Sequence, residues 1–535
     1  MVTPHPKNDS RLLLQSALTK HRQGDLAGAA PLYRQILAQD PQNADAYQLL
    51  GVLAQQLGKL ELARELLEQA VALQPQHAPA LTNLSLLLRQ QGAMDEALRR
   101  AQAAVTVDPT YADAHSALGG LLAARRDYTG ALRHLRRALV WQPENAALLN
   151  DIANAERRRG DLIAAFAAIT QALALQPQQA MLHHTHGNIL RGAGYPDLAS
   201  AAFMRAFHLD PTQIESRQNA ALCHLLLGDF AVGWQLYAER GLPSARTTGL
   251  KPWDGKSAGG LLIQAEQGLG DTLQCVRYAS EAHSVAGQVV LEVQPPLLKF
   301  MRHTFPDLTM ITPDDALPPA LQYHCRMLDL PPWFGMLVAP YLTAPVDTAL
   351  KARVRSMPTP RFGLVWGGNP GHLNDANRSV ALAELLPVLH PWLAHGLSLQ
   401  KGPQQVELAG SGITDGGAWC QDFAATAALV VQLDVVISVD TSVAHLAGAM
   451  GKPVWLLLPY DPDWRWLLQR RDTPWYPTMK LYRQRRPQDW SSPLAELQGD
   501  LAALMAGDRG VLQPPPWGGA PASRPEQPVL VPGLD

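Results

Sequence analysis

Four short segments place glycine, acidic or hydroxyl-bearing residues directly after predicted strands, where proton transfer and anion binding can be arranged. The first is GLGDTLQ at 268–274, in which Asp271 follows Gly268 and Gly270. Glycine lets a backbone approach a ligand closely, and a carboxylate beside it can remove a proton from a hydroxyl group. Asp271 is therefore a candidate general base. Its alternative role is to cap the helix that follows, because Asp is favoured at helix N-termini.

The second segment is VWGGNPGHLNDANRS at 365–379, which follows a predicted strand. Backbone amides next to a glycine pair can surround a diphosphate, and an arginine can bind it with several N–H groups at once. The candidate donors in this loop are Gly367, Gly368, Asn369, Arg378 and Ser379. A glycine pair alone is weak evidence for a phosphate site. Its position after the first strand of a predicted domain strengthens that evidence.

The third segment is SVDTSVAHLAGAMGKP at 438–453. A strand ends at Asp440, Thr441 and Ser442 follow, and the next residues have a helical pattern. The N-terminus of a helix favours an anion, and the two hydroxyl groups add donors. His445 lies about one turn into that helix and can reach a phosphate or a sugar, although an isolated histidine is more often structural.

The fourth segment, at 458–477, is rich in aromatic residues, and its DPD triplet includes Asp461 and Asp463. The aromatic residues are Trp464, Trp466, Trp475 and Tyr476. They can stack on a base or a sugar, and packing in a core is an equally good reading. DPD matches the DxD pattern of metal-dependent sugar transfer, but we expect protein donors to replace a metal here.

Two blocks of alternating strands and helices must position these segments. The first block begins at LLIQAEQ (261–267) and the second at RFGLVWGG (361–368). Such alternation predicts parallel, doubly wound sheets, in which ligands bind at the carboxyl ends of strands. We therefore predict one Rossmann-like domain over 259–357 and a second over 358–506, facing each other across a cleft.

The first half of the chain repeats every 34 residues, and the repeats predict a helical solenoid over 8–240. Three series carry the period: Gly24, Gly58, Gly92, Gly160, Gly194 and Gly228; Ala29, Ala63, Ala97, Ala131, Ala165 and Ala199; Pro41, Pro75, Pro109, Pro143, Pro177 and Pro211. Glycine allows the turn within each helix pair, alanine lets the two helices pack closely where they cross, and proline ends the second helix. The pattern resembles the tetratricopeptide repeat, with six full repeats and one partial repeat.

The concave face of such a solenoid suits a protein or peptide partner. A polar row of Asn83, Asp151, Thr185 and Asn219 could hydrogen-bond an extended peptide. The same row, interrupted by Leu49 and Ala117, also fits a solvated helix face.

Composition limits the remaining classes of function. The formal net charge of −2 gives no general attraction to nucleic acid. Four separated cysteines predict reduced thiols and no zinc site. No run is long and apolar enough for a membrane span or a secretory signal, so we expect a cytoplasmic protein. Residues 241–258 are predicted to be a linker, and the Pro/Gly-rich residues 507–535 a disordered tail.

In these segments the sequence resembles glycosyltransferase family 9, the heptosyltransferase-like enzymes, and in particular bacterial proteins that join such a domain to tetratricopeptide repeats. The matching stretches are AEQGLGDTLQ, GLVWGGNP, SLQKGP, DFAATAALV, VISVDTSVAHLAGAMGKPVWLLLP and DWRWLLQRRDTPWYPT. With the repeats, the resemblance covers about residues 10–505.

The resemblance implies an inverting, metal-independent glycosyltransferase of the two-Rossmann (GT-B) type, with a nucleotide-diphosphate sugar as substrate and no cofactor. It also implies that the domain at 259–357 binds the acceptor and that the domain at 358–506 binds the nucleotide-sugar. Asp271 corresponds to the proposed catalytic base, and Gly268, Gly270 and Gln274 would lie on the acceptor side. Lys401 joins the donor-binding set of segments 367–379 and 440–445. Heptosyltransferases usually carry a lysine where this chain offers Arg378, so a heptose donor is not implied.

Two other readings stay open. The chain also looks like the O-linked N-acetylglucosamine transferases, which would make a protein side chain the acceptor. Alternatively, the protein is a non-catalytic tetratricopeptide scaffold or adaptor with a degenerate nucleotide-sugar-binding domain.

Overall fold

The computed structural model describes residues 6–240, 247, 249–372, 374–516, 525 and 529. Within this described part, residues 6–238 form seven consecutive helix pairs. The helices are α1 (Pro6–Arg22), α2 (Leu26–Gln39), α3 (Ala44–Gln56), α4 (Leu60–Leu73), α5 (Ala78–Gln90), α6 (Met94–Val107), α7 (Ala112–Ala124), α8 (Tyr128–Trp141), α9 (Ala146–Arg159), α10 (Leu162–Leu175), α11 (Ala180–Gly192), α12 (Pro196–Leu209), α13 (Ile214–Leu226) and α14 (Phe230–Ala238).

The turns between paired helices explain the glycine series. Gly58 and Gly92 have φ of 74° and 80°, a region that residues with a Cβ seldom enter. Arg126, the residue that interrupts the series, takes the same conformation with φ of 63°. The alanine series is confirmed as a packing feature, since Ala63 and Ala131 are completely buried.

The rest of the chain forms two parallel sheets with helices between the strands. The elements of the first sheet region are β1 (Lys251–Pro252), β2 (Gly259–Gln264), α15 (Leu269–Cys275), α16 (Ala279–Ala286), β3 (Gly287–Glu292), α17 (Pro295–Thr304), β4 (Thr309–Ile311), β5 (Leu321–Arg326), α18 (Pro331–Phe334) and α19 (Thr348–Arg355). Its strand order is β1-β5-β2-β3-β4, so the order reverses between β2 and β5.

The second sheet region contains six strands, all parallel. Its elements are β6 (Phe362–Val365), α20 (Asp375–Arg378), α21 (Leu382–Leu389), β7 (Gly396–Ser398), β8 (Thr414–Asp415), α22 (Phe423–Val430), β9 (Val435–Val439), α23 (Ser442–Ala449), β10 (Val454–Leu458), β11 (Met479–Arg483) and α24 (Ser491–Met505). The order β11-β10-β9-β6-β7-β8 reverses between β6 and β9. Ligands of parallel sheets bind in the crevice at such a reversal, at the carboxyl ends of the strands.

The boundary between the two compact units of the chain lies at a different position from the predicted boundary at residue 240. One unit ends at Ile189, and the other begins at Leu190 and contains α12–α14 with both sheets. The physical reason is a single cluster of buried side chains that includes Leu225, Trp234, Leu261 and Leu456. The 34-residue period continues through this boundary, so the period alone does not reveal it.

Two predicted irregular segments contain ordered structure. β1 lies within the predicted linker 241–258 and pairs with β5, while residues 241–246 and 248 lie outside the described residues. A 3₁₀ turn at Arg509–Leu512 lies within the predicted tail, and Leu512 is buried in the second sheet's core. Most of residues 517–535 also lie outside the described part, so the prediction of disorder there is untested.

The four cysteines are buried and unbridged, as expected. Among the helices that the structure describes, none combines the length and apolarity needed to cross a bilayer.

Gly119 tests the packing of the helix pairs. A Cβ on Gly119 in α7 would lie 2.7 Å from Cγ of Leu135 in α8, closer than carbon atoms pack. We expect Gly119→Ala to lower the free energy of unfolding by about 1–3 kcal/mol through overpacking. Gly499→Ala in α24 is the control, because nothing lies within 4 Å of its Cβ position. In urea denaturation, the free energy of unfolding of this control should rise by about 0.5–1 kcal/mol. An equal rise in Gly119→Ala would contradict the packing argument.

Candidate functional site

Asp271 lies at the carboxyl end of β2, but not at the first position of a helix as predicted. Gly268 precedes α15, and Asp271 is the third residue of that helix. Its Oδ2 accepts a hydrogen bond from the Gly268 amide at 2.8 Å. Asp271 therefore caps the helix from inside its first turn, which leaves the other carboxylate oxygen available to a second partner.

That second partner is Arg465, a residue that the sequence analysis missed. Arg465 Nη2 donates to Asp271 Oδ1, Nε donates to Gln274 Oε1, and Nη1 donates to Asp463 Oδ1 at 2.7 Å. The arginine side chain is only 7% exposed, and its guanidinium lies 4.4 Å from the ring centroid of Trp464. The available signal in the sequence was an arginine flanked by two tryptophans. Tryptophan is usually buried, and an arginine that is buried beside it needs partners for its charge.

Gly270 brings the first and third segments together. A Cβ at Gly270 would lie 2.8 Å from Cδ2 of His445, so the missing side chain makes room for the imidazole. His445 Nδ1 lies 2.8 Å from the hydroxyl of Tyr476, and its ring stacks on Trp466 at 5.3 Å. The glycine that was expected to approach a ligand thus approaches a histidine of the second sheet region.

The side chain of Asp440 lies beside His445 at the end of β9. Asp440 Oδ2 accepts a hydrogen bond from Trp466 Nε1 at 3.0 Å, and Oδ1 lies 3.7 Å from His445 Nε2. Burial and the charge of Asp463 raise the pKa of Asp440 to about 6, against the opposing effects of Trp466 and nearby arginines. Burial and the same arginines hold the pKa of His445 well below its usual value. The histidine is therefore neutral at neutral pH.

Replacing Asp440 with Asn should stabilise the protein in a pH-dependent way. A carboxyl group whose pKa is raised by folding stabilises the fold below its unfolded pKa of about 4, and that contribution is lost as the pH rises through 6. Above pH 6 the charged carboxylate of Asp440 lowers the free energy of unfolding, and asparagine avoids this loss. We expect Asp440→Asn to exceed the parent in free energy of unfolding by about 2 kcal/mol at pH 7.5.

Urea denaturation between pH 4.5 and pH 7.5 measures this difference. The advantage of Asp440→Asn should grow up to pH 6 and then stay constant. A difference that does not change with pH would mean that Asp440 does not titrate as its burial requires.

The loop after β6 is held by its own polar side chains. Ser379 Oγ accepts a hydrogen bond from the Gly368 amide and donates to Asp375 Oδ1, both at 3.0 Å. Arg378 Nε also lies 3.3 Å from Asp375 Oδ1. A Cβ at Gly368 would lie 2.5 Å from Arg378 Nη2, so a side chain at this position would displace the arginine.

Gln400, at the end of β7, is a second residue missed in the sequence. Its Oε1 accepts from the amides of Trp366 and Gly367, and its Nε2 donates to the Gly367 carbonyl. These bonds fix the strand end from which the loop departs. Val365 pairs with Ser438, so this loop and the start of α23 share the crevice between β6 and β9.

The other predicted donors have different surroundings. Asn369 Oδ1 accepts from the Gly371 amide, and the Thr441 hydroxyl lies 3.0 Å from that of Ser438. Ser442 is the first residue of α23 and is partly exposed. Lys401 follows β7 and is exposed. Its backbone carbonyl accepts a hydrogen bond from Gln400 Nε2 at 2.7 Å.

The aromatic residues of segment 458–477 are packed in the protein core and do not form an open stacking surface. Trp466 and Tyr476 are completely buried, and Trp464 and Trp475 are 6% and 2% exposed. The carboxylates of the DPD triplet each face an arginine, Asp461 with Arg191 and Asp463 with Arg465. In the described part of the chain, no three His, Cys, Asp or Glu side chains converge as metal ligands would.

The polar row of the repeats is partly inaccessible. Thr185 is 2% exposed and lies 3.4 Å from Asn154 Nδ2, whereas Asp151 is exposed and Asn83 and Asn219 are partly exposed. Three members of the row thus keep some accessible surface.

These features define a tetratricopeptide-repeat protein with a C-terminal α/β region of parallel sheets. Residues 20–87 and residues 82–140 each match a family model described as tetratricopeptide repeat. A curated relative is protein FlbA of Caulobacter vibrioides, with 24% identity over 305 residues, covering 48% of this chain and 50% of FlbA. The chain thus spans about half the length of this relative.

Solved structures resemble the repeats. PilF of Pseudomonas aeruginosa shares 20% identity with a TM-score of 0.36, covering 40% of this chain and 97% of that chain. A tetratricopeptide repeat protein from Parabacteroides merdae shares 16% identity with a TM-score of 0.36, covering 44% of this chain and 92% of that chain.

Proposed function

We propose that this protein is an inverting glycosyltransferase of the GT-B type, which moves a sugar from a nucleotide-sugar to an acceptor. The observation that carries the proposal is the meeting of Asp271 and Gly270 from the first sheet region with Arg465 and His445 from the second. A transferase needs a base for the acceptor and donors for the leaving group in one place, and we assign both roles to residues at and around this junction.

The proposed reaction is a single displacement. Asp271 accepts the proton of an acceptor hydroxyl as that oxygen forms a bond to the anomeric carbon of the sugar. The bond from the anomeric carbon to the diphosphate breaks on the opposite face, which inverts the configuration. The amides at the start of α23, the Ser442 hydroxyl and Arg378 would hold the departing diphosphate, since helix N-termini and arginine favour phosphate.

Binding of the donor is the first test. We expect one class among ADP-, UDP-, GDP- and dTDP-sugars to raise the melting temperature, because a ligand at 100 times its Kd adds about 2.7 kcal/mol of stability. Ser442→Ala and Arg378→Ala should each weaken the shift. Arg471→Ala is the matched control, since Arg471 is 49% exposed and pairs with Glu496. If no nucleotide shifts the transition at millimolar concentration, the proposal fails.

A non-catalytic scaffold is the second candidate, and one observation favours it. Both oxygens of Asp271 are engaged, one by the Gly268 amide and one by Arg465, as in a purely structural carboxylate. In either case we propose that the repeats bind a protein or peptide partner. The two candidates differ in the sugar-transfer activity expected of Asp271→Asn.

A further inference from the structure

A cavity of about 920 Å³ lies between α14 and the first sheet. Its walls include Trp234 of α14, Gln264 at the end of β2, and His324 of β5. The order of this sheet reverses between β2 and β5, so the cavity occupies the place where parallel sheets bind ligands. Its volume lies within the range of pockets that hold small molecules.

The wall provides an open aromatic surface. Trp333 is 38% exposed, although one indole face is covered: a Cβ at Gly255 would lie 2.7–2.9 Å from three of its ring atoms. Trp253 meets Trp333 at 5.1 Å in an edge-to-face arrangement, and its own N–H donates to the Ser257 carbonyl. The indole of Trp333 is thus held by Gly255 and Trp253, while 38% of the residue's surface stays accessible to a ligand.

Polar groups of the wall lack partners within the protein. The indole Nε1 of Trp475 is buried and has no hydrogen-bond acceptor among the described residues. That nitrogen has almost no accessible surface, so a ligand in the cavity cannot reach it. The side chain of His324 makes no hydrogen bond within the same described part, and burial lowers its pKa. A neutral imidazole can both donate and accept.

The charged side chains of the cavity wall favour an uncharged ligand. The charged side chains of the lining are Arg326 and Asp329, which pair with each other at 3.6 Å. A phosphate or carboxylate ligand would find no free cation there. An aromatic face with donors and acceptors around it matches a sugar ring, which has C–H groups on its faces and hydroxyl groups at its edge.

We propose that this cavity binds a neutral oligosaccharide, with one sugar ring stacked on Trp333 and a hydroxyl group of the ligand hydrogen-bonded to His324. This inference rests on the proposed function in one respect, because the oligosaccharide would be the acceptor of the transfer. The binding itself requires no nucleotide.

Isothermal titration calorimetry of the full chain with chitotriose, maltotriose and cellotriose tests the site. At least one of these neutral saccharides should bind, and Trp333→Ala should weaken its binding at least tenfold. His324→Phe keeps an aromatic ring and removes both ring nitrogens, so it should weaken binding severalfold. Trp141→Ala is the matched control, because Trp141 is 50% exposed on α8, and this variant should bind as the parent does.

The outcomes separate this inference from the proposed function. Absence of binding by all three saccharides would overturn it, as would unchanged affinity in Trp333→Ala. Binding of a proline-rich peptide that depends on Trp333, without saccharide binding, would assign the cavity to a protein partner instead. Nucleotide-induced thermal shifts measured on Trp333→Ala should equal those of the parent. If a saccharide binds and no nucleotide does, the inference stands and the transferase proposal fails.

Discussion

Asp271→Asn is expected to lower sugar transfer by about two to four orders of magnitude, the usual contribution of a general base. Asparagine keeps an oxygen that can accept from the Gly268 amide, so the turn before α15 should persist. It cannot take up a proton from an acceptor hydroxyl, so chemistry should fail while donor binding remains. The measurement is release of nucleoside diphosphate from the nucleotide-sugar that stabilises the protein, together with the thermal shift that this donor causes.

Asp463→Asn is the matched control for this prediction. Asp463 also pairs with Arg465, so its replacement removes an equal charge from the same arginine. It lies outside the turn between β2 and α15. Asp463→Asn should therefore retain most of the transfer activity. Equal activity losses in the two variants, or full activity in Asp271→Asn, would favour the scaffold reading.

Arg465→Met is expected to lower the free energy of unfolding by about 1–3 kcal/mol, because it leaves the buried amide oxygen of Gln274 without its donor and two partly exposed carboxylates without their partner. Asp271 and Asp463 would lose an ion pair, and the amide oxygen of the buried Gln274 would lose a donor. Methionine fills a similar volume, so the loss should reflect charge and hydrogen bonding more than a cavity. Urea denaturation at neutral pH measures the effect.

The exposed Arg471 provides the comparison. Arg471→Met breaks only a surface pair with Glu496, and it should cost less than about 1 kcal/mol. Adding Asp271→Asn and Asp463→Asn to Arg465→Met should recover part of the lost stability, because the unpaired charges are then gone. A loss in Arg465→Met no larger than that in Arg471→Met would show that the buried network contributes little.

Much of the fold could be predicted because it is encoded locally. Each helix pair of the repeats is a unit of 34 residues with its own turn and its own crossing alanine. Even at Arg126, where glycine is missing, the neighbouring helices impose the same turn conformation. The buried strands β2, β3, β6, β9 and β10 are apolar runs that stand out from their flanks. The exposed two-residue β1 has no such pattern and was missed.

The candidate site was only partly predictable. Position after a strand pointed to Asp271, Asp440 and the loop after β6, because the carboxyl ends of parallel strands share one edge. The same reasoning assigned the tryptophans of 458–477 an open stacking role as one alternative. Their burial corrects it, since spacing does not show which face of an aromatic segment a second domain covers.

The sequence by itself determined the helical repeats, the alternation of strands and helices that predicts parallel sheets, and the glycines of the turns within the helix pairs. Only the tertiary structure decided that Asp271 pairs with Arg465, 194 positions later, and that Gly270 makes room for His445. It also placed the pKa of Asp440 near 6 through burial beside Asp463. The physical reason is that local pattern reports propensity and period, whereas contact, burial and charge depend on which distant residues the packed chain brings together.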